Sequence, residues 1–146
     1  MSLHPTMDPP RPDPMCFGCG LPPGLGVNLL VPSVAEAVRF QTVVLGAIAA
    51  HVEDQFAVMR CETALWLPHG DHAYRHHPFS AAVHGLEARG GGVELRRYGQ
   101  DPDTAEARAR EHGAPVLAPS EDKPHGLRQA YLLEPAGYVW VPYRPI

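Results

Sequence analysis

Hydrophobic and polar positions along this chain repeat in a set order. Val27, Leu29 and Val31 alternate with Asn28 and Leu30 and predict a short strand. Ser33 then opens a helix. Its spacing from Glu36 is that of a capping box, and Val34, Ala37, Val38, Gln41, Val44 and Leu45 recur at helical intervals until Gly46. Three strand candidates follow at Ala47–Val52, Gln55–Arg60 and Thr63–Leu67, with Cys61 and Glu62 in the tight turn before the last.

The same order then returns. Gly92-Val93-Glu94-Leu95 echoes Gly26-Val27-Asn28-Leu29. Asp101 suits a helix N-cap and Pro102 its first turn, and the helix through Thr104–His112 is stopped by Gly113. Strands are expected at Pro115–Ala118, Leu127–Leu133 and Tyr138–Pro142, the last two joined by a Glu134-Pro135-Ala136-Gly137 turn. A β-α-β-β-β unit therefore occurs twice, and one such unit cannot bury both faces of its sheet alone. The expected class is α+β: two tandem βαβββ modules forming a curved mixed sheet around a cleft, with the helices on the outer face. The modules span about residues 25–69 and 91–143 of a domain at 25–146, with a polar, histidine-rich linker at 70–90. Residues 1–24 read as an extended arm, because their proline spacing opposes a helix.

Composition narrows the function. The 146 residues hold seventeen prolines and fourteen glycines, which suits many short strands and turns. A net charge of −4 without clustered basic residues points away from nucleic acid and anionic membranes. No apolar run approaches a membrane span, and the polar N-terminus lacks a signal-peptide core, so a cytoplasmic protein is expected. Three cysteines are too few for a disulfide scaffold.

Val31-Pro-Ser-Val-Ala-Glu-Ala-Val-Arg-Phe40 with Val44-Leu-Gly-Ala47, and Asp122-Lys-Pro-His-Gly-Leu-Arg128 with Glu134-Pro-Ala-Gly-Tyr-Val-Trp140, resemble the vicinal-oxygen-chelate superfamily of glyoxalases, bleomycin-resistance proteins and extradiol dioxygenases. The resemblance covers about residues 25–143. Departures are Gln41, where an aromatic residue is usual, and Glu134 and Ala136, where aspartates are usual. The resemblance implies paired modules, usually a dimer, and in the metal enzymes four ligands, one from the first and last strand of each module. Those positions fall at Gly26 and Gly92, and at Leu67 and Val141 or a neighbour such as Trp66 or Trp140. None of these side chains can donate to a metal. The resemblance thus implies a metal-independent small-molecule-binding protein without a cofactor, of the kind that sequesters an antibiotic or metabolite.

The alternative is a metal-dependent lyase, isomerase or dioxygenase whose divalent ion is held by displaced ligands. His69 and His72 are the candidates, in a run that includes Tyr74, His76 and His77; alternation puts His69 on the face of Leu67. Ligand-binding candidates are Asn28, Leu67, His69, Glu94, Arg96, Tyr98 and Val141, with Arg128 a weaker one. Glu94 and Arg96 either pair with each other or recognise a polar ligand, and Glu94 is also a candidate for a metal-free base. Trp66 and Trp140 occupy matching positions and either fill the core or, with the register slipped by one, stack a ligand. Cys16-Phe-Gly-Cys19 has half a metal-knuckle spacing and is otherwise a pair of reduced thiols.

Overall fold

The computed structural model describes residues 14–146 and shows the two repeats as separate four-stranded sheets. In the first module β1 (Val27–Val31) leads into α2 (Val34–Val43), followed by β2 (Ile48–Glu53), β3 (Phe56–Cys61) and β4 (Ala64–Gly70). The second runs β5 (Glu94–Tyr98), α4 (Pro102–His112), β6 (Val116–Lys123), β7 (Leu127–Leu133) and β8 (Val139–Pro145). The strand orders β1-β4-β3-β2 and β5-β8-β7-β6 are the same pattern twice. In each, the first strand lies parallel to the last (Asn28 beside Leu67, Arg96 beside Val141), and the other neighbours are antiparallel. This is the expected α+β pair of βαβββ modules.

Local chemistry sets the helix ends. The Ser33 hydroxyl accepts from the Glu36 N–H at 3.2 Å, and Asp101 accepts from the Thr104 N–H at 3.2 Å, each satisfying an orphan donor of the first turn. Pro102 begins α4, and Gly113 ends it in the left-handed region at φ 81°.

α2 and α4 cover one face of their sheets. Leu29, Val31, Phe40, Val44, Met59, Trp66, Leu132 and Trp140 lie in one hydrophobic core spanning both modules. Among the described residues no strand ladder joins the two sheets; side chains do. The Tyr138 hydroxyl donates to the Leu30 carbonyl of β1 at 3.0 Å, and the rings of Trp66 and Trp140 lie 5.3 Å apart.

Three expectations change. The arm was expected to hold no helix, yet Pro14–Cys19 forms a short one, α1: a proline is tolerated in a first turn, where its missing N–H has no helical partner. Residues 1–13 of that arm lie outside the described residues. The linker carries a 3₁₀ turn (Asp71–Tyr74) and α3 (Ser80–Val83), and Arg89, bonded to both oxygens of Asp71, fastens it. Gly26 and Gly92 precede their strands, Gly92 in a turn at φ 82°.

Candidate functional site

Strand alternation divides each sheet into a helix-covered face and an open one. On the open face of the first sheet lie Asn28, Leu67, His69 and Phe56, with His69 beside Phe56 across β3–β4. The His69 ring is 5.0 Å from Phe56 and 5.3 Å, edge-on, from Tyr74 of the 3₁₀ turn. Its Nδ1 is 3.1 Å from the Leu67 carbonyl. A carbonyl can only accept, so Nδ1 carries the hydrogen and Nε2 is bare in the neutral ring. Burial holds its pKa below the ordinary histidine value. The Asn28 amide donates to the Tyr74 hydroxyl at 3.5 Å.

The open face of the second sheet is polar and aromatic. Arg96 donates to Glu94 at 2.9 Å and, from its other terminal nitrogen, to Gln129 of β7 at 2.8 Å. Its guanidinium carbon lies 4.4 Å from the centre of the Tyr143 ring on β8. Tyr98 stands 5.2 Å from Tyr143, and the Gln129 amide donates to the Tyr131 hydroxyl at 3.3 Å. Beside this group a cleft of about 390 Å³ opens over Glu94, Tyr131, Leu133, Val139 and Leu117.

Several candidates sit elsewhere than a binding role requires. Trp66 and Trp140 are 6% and 5% exposed and face the core, so they offer no stacking surface. Their indole N–H groups go inward instead: Trp66 to Gln41 at 2.8 Å and Trp140 to Glu134 at 3.2 Å. Val141 is fully buried beside Arg96, which removes it from ligand contact. Arg128 lies on the other face of β7 and is held by Asp103 and Asp122 at 2.8 and 3.0 Å. Glu94 is exposed and already paired with Arg96 at 2.9 Å. Cys61 is buried at the end of β3, and burial pushes its thiol up. Cys19 is free and exposed, and the side chain of Cys16 lies outside the described residues.

A metal held in the manner the sequence resemblance implies does not fit these residues. Gly26 and Gly92 lie outside the strands, and Leu67 and Val141 supply only hydrocarbon. Among the described residues no three His, Cys, Asp or Glu side chains converge on a point. His72, His76 and His77 are exposed in the segment after β4. The two open faces are likewise not linked by any hydrogen bond or ring contact among the described residues.

Similar architectures occur among solved structures. A glyoxalase/bleomycin resistance protein/dioxygenase from Nocardioides shares 22% identity, covers 90% of this chain and 91% of its own, and superposes with a TM-score of 0.65. A glyoxalase/bleomycin resistance protein/dioxygenase family enzyme from Burkholderia phytofirmans PsJN shares 16% identity over 83% of this chain and 97% of its own, with a TM-score of 0.69. The fold is the glyoxalase/bleomycin-resistance fold. A lactoylglutathione lyase from Agrobacterium tumefaciens also has it, at 19% identity, 84% and 95% coverage and a TM-score of 0.61. No family model and no curated protein matches the sequence. A glyoxalase/bleomycin-resistance fold is a scaffold for more than one activity, so function must be argued from the site.

Gln129, Tyr131, Tyr143 and Phe56 were missed by sequence reasoning. Alternation alone puts Gln129 and Tyr131 on one face of β7, but which face depends on register with β8, which no local pattern encodes.

Proposed function

We propose that this chain is a metal-independent small-molecule-binding protein of the glyoxalase/bleomycin-resistance family, one that captures its ligand on the open sheet faces and sequesters it. The observation that carries this reading is the loss of all four expected ligand positions to Gly26, Gly92, Leu67 and Val141 in a chain that keeps the fold. The surrounding faces supply what a binding site needs: apolar and aromatic area for affinity, and a few fixed polar groups for orientation. Asn28 and His69 provide a donor and a bare acceptor on one face; Arg96 and the Tyr131 hydroxyl provide donors on the other, with Gln129 bonded to both. The chain forms a homodimer in this reading, as the resemblance implies.

Elemental analysis of the purified full chain tests the proposal, together with a thermal-shift screen against aromatic antibiotics and divalent metals. The expected result is stabilisation by an aromatic compound and no stoichiometric ion. One tightly bound divalent ion per chain, lost in His69→Ala or His72→Ala, overturns it.

A further inference from the structure

We propose that the Glu94–Arg96–Tyr143 surface binds a flat, uncharged aromatic ring, stacked on the outer face of the Arg96 guanidinium. This rests on the binding reading above and narrows it to a ligand class and an anchoring residue.

Charge balance and the partners already in place favour that face. A free arginine in a cleft recognises carboxylates through paired in-plane donors. Here each terminal nitrogen already has a protein partner, Glu94 at 2.9 Å on one and Gln129 at 2.8 Å on the other, which takes two of the five N–H donors. Glu94 also balances the charge at contact distance, so an incoming anion meets a neutral pair whose exposed partner is the acid. The guanidinium carbon lies over the Tyr143 ring, 4.4 Å from its centre. The Arg96 side chain nevertheless keeps 32% of its surface exposed.

Three anchors from three strands hold the group flat, so stacking on it costs little side-chain entropy. Tyr98, 57% exposed and 5.2 Å from Tyr143, widens the platform. The adjoining cleft begins at Glu94 and Tyr131 and runs over Leu133, Val139 and Leu117. It offers apolar walls to the part of the molecule that overhangs the guanidinium.

Other arginines do not turn this face into an anion site. Arg128 is spent on Asp103 and Asp122 on the opposite face, and Arg97 donates to the Tyr98 carbonyl.

Three probes of one skeleton test the proposal by calorimetry on the full chain: 2-naphthol, its saturated counterpart decahydro-2-naphthol, and 2-naphthoate. The expected result is that 2-naphthol binds about tenfold more tightly than the saturated alcohol and at least as well as the carboxylate. Its affinity changes less than about twofold between ~50 and ~500 mM salt. Arg96→Lys keeps the charge, loses the plane, and weakens 2-naphthol about tenfold. Tyr143→Leu, which removes the backing ring, does the same. The Arg96 Nε–H resonance moves upfield on titration, which places the ring over the guanidinium.

Equal binding of the flat and saturated alcohols, unchanged in Arg96→Lys, overturns stacking while leaving a binding protein. Tightest binding by 2-naphthoate with steep salt dependence overturns it in favour of anion recognition. No binding by any probe overturns the ligand class. The broader reading fails separately, by the stoichiometric metal ion described above.

Discussion

Gln41 and Glu134, two of the three positions at which the sequence departs from the pattern it resembles, are bonded to each other. The Gln41 amide donates to the Glu134 carboxylate at 3.1 Å, from α2 of the first module to the β7–β8 turn of the second. Gln41 also accepts from Trp66, and the same Glu134 oxygen accepts from Trp140. Two departures that look independent along the chain thus form one buried polar bridge between modules. The second Glu134 oxygen is buried with no hydrogen-bond partner among the described residues.

Burial raises the Glu134 pKa to about 7, against the stabilising bonds from Gln41 and Trp140. The folded state therefore holds this proton more tightly than the unfolded chain. Its stability contribution is complete below the unfolded carboxylate value and is lost as pH rises through about 7. Urea unfolding should show the native chain losing up to roughly 3 kcal/mol between about pH 5 and 8 from this group, a loss absent in Glu134→Gln. Equal pH slopes in the two proteins would disprove the assignment.

Gln41→Leu removes both partners at once. It leaves the Trp66 indole N–H unpaired and takes one of two donors from Glu134. The expected cost is about 2–4 kcal/mol, read from the midpoint of denaturant unfolding. A variant as stable as the native chain would show the bridge to be dispensable.

Gly137 and Gly92 both have φ near +85°, yet alanine should affect them differently. A Cβ at Gly137 would stand 2.5 Å from the Ala88 Cα and 2.6 Å from the Glu87 carbonyl, both backbone atoms of the linker. At Gly92 nothing lies within 4 Å. Gly92→Ala should cost about 1–2 kcal/mol, the left-handed strain alone. Gly137→Ala should exceed it by at least ~1 kcal/mol, because the linker must move. Thermal melting of the two variants side by side decides this.

Asp101→Ala should cost about 1 kcal/mol by uncapping α4. The carboxylate also receives the Thr104 hydroxyl at 2.7 Å and the Arg144 side chain at 3.2 Å, which ties the cap to β8. Restoration by Asp101→Asn to within ~0.5 kcal/mol would show that capping rather than charge matters.

The fold was legible because each module announces itself twice, through Ser33 and Asp101 as caps and Gly46 and Gly113 as stops. Local rules of hydrogen bonding and φ suffice for those. The tryptophans' core placement was one of two readings, since alternation fixes a face only once register is known. The Arg96 platform was half legible. Glu94 and Arg96 are two apart on one strand and must share a face, whereas Gln129 and Tyr143 arrive from strands more than thirty residues away. Nothing local in β7 or β8 specifies that meeting. The bridge of Gln41 and Glu134 was invisible for the same reason: its members are 93 residues apart.

The separation of the two sheets bears on how such a chain can change. Among the described residues their junctions are side chains and the linker strap, so a substitution on the Arg96 platform has no ladder there through which to shift the backbone around His69. Selection can remodel one face for a new guest while its counterpart stays as it was, and the scaffold tolerates the asymmetry.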